Sequence, residues 1–326
     1  MIDRRRMLAA AGAALAMPGT AVRARAAPAA TLRVASLKFG SLGWLIETIR
    51  AEGLDKAAGL DIQVVEVATN QAGPIALMSG DADVIVSDWP WAMRQRSLGE
   101  PVRFRPFSSA LGSVMVPKDS AIKTVKDLEG RKLGIAGSAI DKSWLLLRAY
   151  SRKVSGADIA DKATPVYGAA PLLAQELRSG RIDACLNFWT YAARLAGAGF
   201  VELVSMAAVL KELGIEPVPA LVGYIYKEKT LAEKGAAISA FLVAAEKGNA
   251  ILAQSDEAWK RLTPLVKPAS DVEMAAIVKS YRDGIPGGWS EAHTRSAEKL
   301  MALLADAGDK ELMGHGTRFD AKLFEA

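Results

Sequence analysis

Thr124-Val125-Lys126-Asp127-Leu128-Glu129-Gly130-Arg131-Lys132-Leu133-Gly134-Ile135-Ala136-Gly137-Ser138 is the stretch on which the reading of the fold turns. Its second half predicts a short strand, Lys132–Ile135, running into a glycine turn and then a helix over Lys142–Lys153. A β-run, a turn that tolerates close backbone approach and an amphipathic helix are the parts of one unit of a mostly parallel sheet.

The same unit recurs on both sides. Upstream, Leu32–Ser36, Asp61–Val67, Asp83–Val86, Val102–Phe107 and Ser113–Val116 read as strands, with helices over Leu42–Ala58, Ala72–Ser79 and Trp89–Ser97. Downstream, strands are expected at Thr164–Tyr167, Asp183–Leu186 and Val201–Val204, separated by helices at Pro171–Arg178 and Phe188–Ala196. After Pro217-Val218-Pro219 a strand-like Leu221–Tyr226 leads into helices at Leu231–Ala253, Asp271–Asp283 and Glu291–Ala307. Two α/β units of similar size imply two lobes joined by two hinge crossovers, near Ala110–Val114 and Pro217–Val222. The expected boundaries are 27–112 with 221–326 for lobe 1 and 113–220 for lobe 2. A double crossover places a cleft at the strand C-termini.

Composition narrows the function. The chain has 326 residues, 51% of them hydrophobic and 24% charged, with one Cys and two His. That is a packed globular chain, long enough for two cores. A lone Cys forbids an internal disulfide and a thiolate-only zinc site. No metal site and no cofactor is expected. The formal charge of +5 suggests an anionic partner until its location is examined. Arg4-Arg5-Arg6 precede an apolar run from Met7 to Met17, and Ala24-Arg25-Ala26 offers an A-x-A cleavage site. This reads as a secretory signal of twin-arginine type over residues 1–26, cleaved near Ala26. Its removal takes away five arginines and one acid and leaves 36 basic against 35 acidic residues. A nucleic-acid partner is therefore not expected. No later segment offers 18 uninterrupted apolar residues, so a membrane-embedded role is not expected either.

Catalytic signatures are sparse. Ser120-Ala121-Ile122-Lys123 fits S-x-x-K, but Ser87-Asp88 is followed by Trp89 and there is no K-T-G. Cys185 sits in a buried-looking strand and reads as an inert core thiol. His293 and His315 read as surface residues.

Three segments resemble one family. Thr124–Ser138 is similar to the "V-x-D-L-K-G-K-x-[IV]-[AG]-x-x-x-G-S" segment of substrate-binding proteins of ABC importers, in the nitrate, taurine, alkanesulfonate and thiamine-precursor branch. Ala76-Leu77-Met78-Ser79-Gly80-Asp81-Ala82-Asp83 resembles its "A-L-x-S-G-x-[AV]-D" turn, and Leu173–Tyr191, with Gly180-Arg181-Ile182-Asp183-Ala184, resembles its third motif. The resemblance implies an α/β, two-lobed periplasmic-binding-protein (type II) fold. It further implies a periplasmic monomer that captures a small-molecule solute and hands it to the membrane permease and ATPase subunits of an ABC importer. The alternatives are an enzyme on the same fold, of the pyrimidine-synthase kind that uses His and a Cys-rich iron motif, and the binding of a metal chelate. The departures fall where a ligand is chosen: Phe188-Trp189-Thr190-Tyr191 replaces a Trp-acid-Pro pattern, and Ser87-Asp88-Trp89-Pro90-Trp91 carries an acid and two indoles where small residues are common.

Strand-to-helix turns present helix N-termini to such a cleft. The turns at Phe39–Gly43, Asn70–Gly73 and Gly137–Asp141 are candidates. Trp44, Trp89, Trp91, Trp144 and Trp189 all follow expected strands, where an aromatic wall could hold a ring or a cation. The expected ligand-binding set is Ser41, Trp44, Gln71, Asp88, Trp89, Ser138, Asp141, Asn187 and Trp189. If Asp88 and Asp141 face the cavity, a cation or hydrogen-bond donor is favoured. If they cap helices, the helix ends remain open to a carboxylate or sulfonate.

Overall fold

The computed structural model describes residues 29–306 and 317–325. The export signal expected over residues 1–26, and His315, lie outside the described residues. The chain begins with β1 (Ala30–Leu37), α1 (Leu42–Ala51), α2 (Leu54–Ala57), β2 (Leu60–Val67) and α3 (Ala72–Ser79). It continues through β3 (Val84–Asp88), α4 (Trp89–Ser97) and β4 (Val102–Ser108). A first crossing leads to β5 (Ser113–Val116), β6 (Lys132–Ala136), α5 (Lys142–Ser155), α6 (Ile159–Lys162) and β7 (Thr164–Gly168). Then come α7 (Ala170–Arg178), β8 (Ala184–Asn187), α8 (Trp189–Gly197), β9 (Val201–Ser205) and α9 (Met206–Glu212). A second crossing returns the chain to β10 (Val222–Lys227), followed by α10 (Glu228–Gln254), α11 (Asp256–Val266), α12 (Asp271–Asp283) and α13 (Glu291–Asp306).

Two five-stranded sheets result, ordered β2-β1-β3-β10-β4 and β7-β6-β8-β5-β9. In each, three strands are parallel, and the strand that has just crossed from the other sheet enters antiparallel in fourth place. The two lobes are therefore built alike and joined twice, the α/β two-lobed arrangement that the strand pattern implies. The first crossing is tight. A Cβ on Gly112 would stand 2.0 Å from the Asn187 carbonyl oxygen, so only glycine fits where the chain enters the second sheet.

Helix α10 is long and apolar enough, by length and composition, to span a bilayer. It instead packs on α1, where Gly248 leaves room for Leu45 and Ile49. Its one non-helical residue, Lys234, reaches Asp83. At the far edge of the first sheet the tail 317–325 lies along β4, held by Arg96 on Asp320 (2.7 Å), Arg105 on the Phe324 carbonyl (3.2 Å), and the Phe324 ring stacked on Trp289. A covered edge strand cannot pair with another chain.

Asp83 anchors β3. Its buried carboxylate accepts the Arg33 backbone N–H (2.9 Å), the Arg33 guanidinium (2.8 and 3.2 Å) and Lys234 Nζ (2.8 Å). Burial alone would raise its pKa, but these bonds outweigh it and hold the carboxyl down to about 2. The folded value lies below the unfolded ~3.9, so the stabilisation is complete above about pH 4 and is lost as pH falls through about 2. Arg33 is partly exposed and solvent screens it. Asp83→Asn should cost about 1–2 kcal/mol at neutral pH. The difference from wild type, measured by urea titration, should shrink steadily as the pH is lowered through this window; a difference independent of pH would exclude this role.

Candidate functional site

The C-terminal ends of β1, β2 and β3 open into a cavity of about 210 Å³ between the lobes. Ala35, Leu37 and Val67 come from β1 and β2, and Val86, Ser87 and Asp88 from β3. The end of β4 adds Phe107 and Ser108, and the first crossing adds Ala110–Gly112. The second lobe closes the far side with Lys142 and Ser143 at the start of α5 and Phe188, Trp189 and Thr190 at the start of α8. The walls are thus mainly apolar and aromatic, dotted with hydroxyls. This is the composition of sites that bind small organic molecules.

Of the expected residues, Ser41, Asp88 and Trp189 meet in this cavity. Trp44 and Trp89 are buried in the first lobe, and Trp144 is buried in the second. Helical phase accounts for these three. Trp89 shares a face with Met93, Trp44 with Thr48 and Trp144 with Leu147, and each of those faces packs inward. Trp44 meets the edges of Trp189 (6.0 Å) and Trp259 (6.1 Å). The aromatic wall is made instead by Phe39, Phe107, Phe188 and Trp189. Gln71 is exposed at the start of α3, beside the cavity-lining Thr69 and Asn70. Ser138 lies outside the lining. Asn187 is buried and structural: its Nδ2 donates to the Ala170 carbonyl (2.9 Å) and its Oδ1 accepts from the Phe188 N–H (2.9 Å), tying α7 to α8.

Asp88 and Asp141 both cap helices. Asp88 Oδ1 accepts the Trp91 N–H (3.0 Å) and Asp141 Oδ1 the Ser143 N–H (2.9 Å). Asp141 stands behind the cavity rather than in its lining, and burial drives its carboxyl up, against the pull of Lys142. Lys142 is the residue that the sequence reading missed. Its Nζ lies 3.4 Å from Asp88 Oδ2, so the pair joins the two lobes across the cavity. Burial works against the ammonium, but Asp88 and Asp141 outweigh it and raise its pKa. The missed signal is local: a lysine as first residue of a helix opposes the helix dipole, and such conflicts with local preference gather at functional sites. The N-cap residues of α1 and α8 provide no side-chain cap, which leaves backbone N–H donors at the cavity rim, whereas the first N–H of α3, on Ala72, is held by Thr69 Oγ1 (3.3 Å).

A family model described as "NMT1/THI5 like" matches residues 50–258. A relative named for thiamine biosynthesis in Haemophilus influenzae is 27% identical over 218 residues, covering 64% of this chain and 65% of its own length. This chain thus spans just under two-thirds of that relative. The structure of the periplasmic aliphatic sulphonate binding protein SsuA from Escherichia coli superposes with a TM-score of 0.65 at 20% identity, over 86% of this chain and 88% of that one. The alkanesulfonate-binding protein SsuA from Xanthomonas axonopodis, bound to MOPS, gives 0.64 at 19% identity, over 86% and 99%. These likenesses show the fold.

The thiol and imidazole described lie away from the cavity. His293 bonds Ser290 on the first turn of α13 (2.8 Å). Cys185 is fully buried in β8, and burial pushes its thiol up to about 12. In the native protein Cys185 should therefore resist a thiol reagent such as dithiobis(nitrobenzoate) at mildly alkaline pH and react fully once urea unfolds the chain. Rapid labelling of the native protein would contradict both its burial and its raised pKa.

Proposed function

The chain belongs to the NMT1/THI5-like family, and on that premise we propose that it is the solute-binding component of an ABC importer. In this reading residues 1–26 direct it to the periplasm and are removed, and the mature chain works as a monomer. Lobe 1, residues 27–112 with 221–326, and lobe 2, residues 113–220, close on a small organic solute and present it to the permease and its ATPase.

One observation carries the proposal: the cavity is walled by both lobes at the point where the parallel strands end. A ligand that touches both walls binds the closed arrangement better than the open one, and that differential affinity is all that capture requires. At about 210 Å³ the space is smaller than the ~300–1,000 Å³ of sites for drug-sized ligands, and suits a solute built around one ring. The relative named for thiamine biosynthesis keeps an enzyme on this fold as the rival reading. The residues lining the cavity favour binding, because their two ionisable side chains, Asp88 and Lys142, are engaged with each other.

A thermal-shift screen of small amines, pyrimidines, amides, sulfonates, carboxylates and metal chelates tests this. A true solute at 100 times its Kd stabilises by about 2.7 kcal/mol. Trp189→Ala should abolish most of that gain while leaving a cooperative unfolding transition. Failure of every solute to stabilise the wild type, with the chain recovered from the cytosol still bearing residues 1–26, would refute the proposal.

A further inference from the structure

The solute-binding reading leaves open which charge the solute carries, and the inference here rests on that reading. Asp88, from the end of β3 in the first lobe, and Lys142, from the start of α5 in the second, are the ionisable side chains in the lining of the cavity. They are of opposite sign, come from opposite walls and face each other at 3.4 Å. Both side chains are largely removed from solvent, 23% and 16% exposed.

The donor and acceptor count is asymmetric. Asp88 has both oxygens engaged, Oδ1 by the Trp91 N–H and Oδ2 by Lys142. Lys142 carries three N–H donors and directs one of them at Asp88. The uncapped starts of α1 and α8 add backbone donors without a formal charge, and the hydroxyls of Ser41 and Thr190 can donate or accept. The ammonium and the helix ends thus supply more donors than the Asp88 carboxylate supplies acceptors, and the formal charges of the lining balance. An anion on the spare Lys142 donors would lie against the Asp88 carboxylate, and a cation on Asp88 would lie against the Lys142 ammonium. Either brings a like charge up to a pair largely removed from water, unless the pair is broken and one buried charge is left without its partner.

We infer that the Asp88–Lys142 pair is a charge filter, which makes the cavity select an uncharged solute bearing hydrogen-bond acceptors such as an amide carbonyl or a ring nitrogen. Such a solute receives the spare Lys142 N–H and the backbone donors while the pair stays intact, and the pair then helps to hold the lobes together around it.

The test uses the mature chain and a thermal-shift and calorimetric panel of solutes matched in shape and differing in charge, including nicotinamide, nicotinate and 3-(aminomethyl)pyridine. Wild type should be stabilised by uncharged members. Asp88→Asn keeps the cap on α4 and removes the negative charge, so the preference should move by about tenfold or more toward the anion of a matched set. Lys142→Gln should move it by a similar factor toward the cation. Should Asp88→Asn fail to fold, the Lys142→Gln shift decides alone. A wild type that binds an anion, cation or zwitterion best, or variants whose charge preference is unchanged, would overturn the filter and leave solute binding standing. A wild type that no member of the panel stabilises would instead overturn the solute-binding reading itself.

Discussion

The docking of α8 on α12 sets the geometry of everything around the cavity. Glu273 on α12 is buried between two arginines of the second lobe, Arg194 at 2.5 Å and Arg178 at 3.5 Å. Arg194 also donates to the Val266 and Lys267 carbonyls. A Cβ on Gly197 would stand 2.5 Å from the Glu273 Cα, so the two helices approach as closely as backbone allows. About two turns earlier, Trp189 sets its ring edge-on against both Trp44 and Tyr281 of the first lobe, at 6.0 and 6.1 Å, the three rings forming one cluster. Leaving one member of such a buried network unpaired costs ~3–5 kcal/mol, so this contact is not readily given up. In the arrangement where the lobes lie together the start of α8 is thus held against the first lobe, and it is the wall that carries Phe188, Trp189 and Thr190.

That arrangement explains which parts of the molecule could be read from its sequence. Strands and helices were legible because most strands are short runs rich in β-branched residues and bounded by turn residues, and α3, α4 and α12 occupy the ranges expected of them. The first crossing was legible because β5 follows β4 with no helix between them, and the second because Pro217-Val218-Pro219 separates the second unit from the strand-like Leu221–Tyr226. What the pattern could not express was pairing. Nothing local marks β5 and β10 as the antiparallel strands of their sheets. Helix α11 escaped because Pro264 interrupts its pattern, although Ser255 caps it and Trp259 and Leu262 bury its inner face. Helix α10 begins at Glu228, earlier than its apolar pattern, because Arg96 of α4 and Arg103 of β4 hold that carboxylate.

The site was legible only in part, and for the same reason. Ser41, Asp88 and Trp189 stand at strand-to-helix turns, where topology alone sends a residue toward the cleft. Trp89 opens α4 just as Trp189 opens α8, yet Trp89 is buried and Trp189 lines the cavity, so at this position the direction is set by packing against a partner that the sequence does not name. Trp144, two residues into α5, likewise fills a core. For Lys142 the sequence carries only the local conflict of a lysine at a helix start; its partner, Asp88, is 54 positions away on the opposite lobe and is visible only in the fold.

The two acids of β3 show how one strand divides its work. Asp83 precedes the strand, on the side away from the cleft, and is clamped by a guanidinium, an ammonium and a backbone N–H at 2.8 to 3.2 Å. Asp88 ends it, on the cleft side, with one backbone N–H and one longer contact to Lys142. The tight cluster fixes β3 against β1 and α10, and so fixes where Asp88 stands. A carboxylate positioned by its own strand does not need strong partners at the cavity, and its remaining interaction can then be reserved for a charge on the other lobe. Because that charge arrives from a separate sheet, the strength of the pair depends on how far apart the lobes stand. In the solute-binding reading proposed above, the same two side chains would couple the charge of the cavity to its closure.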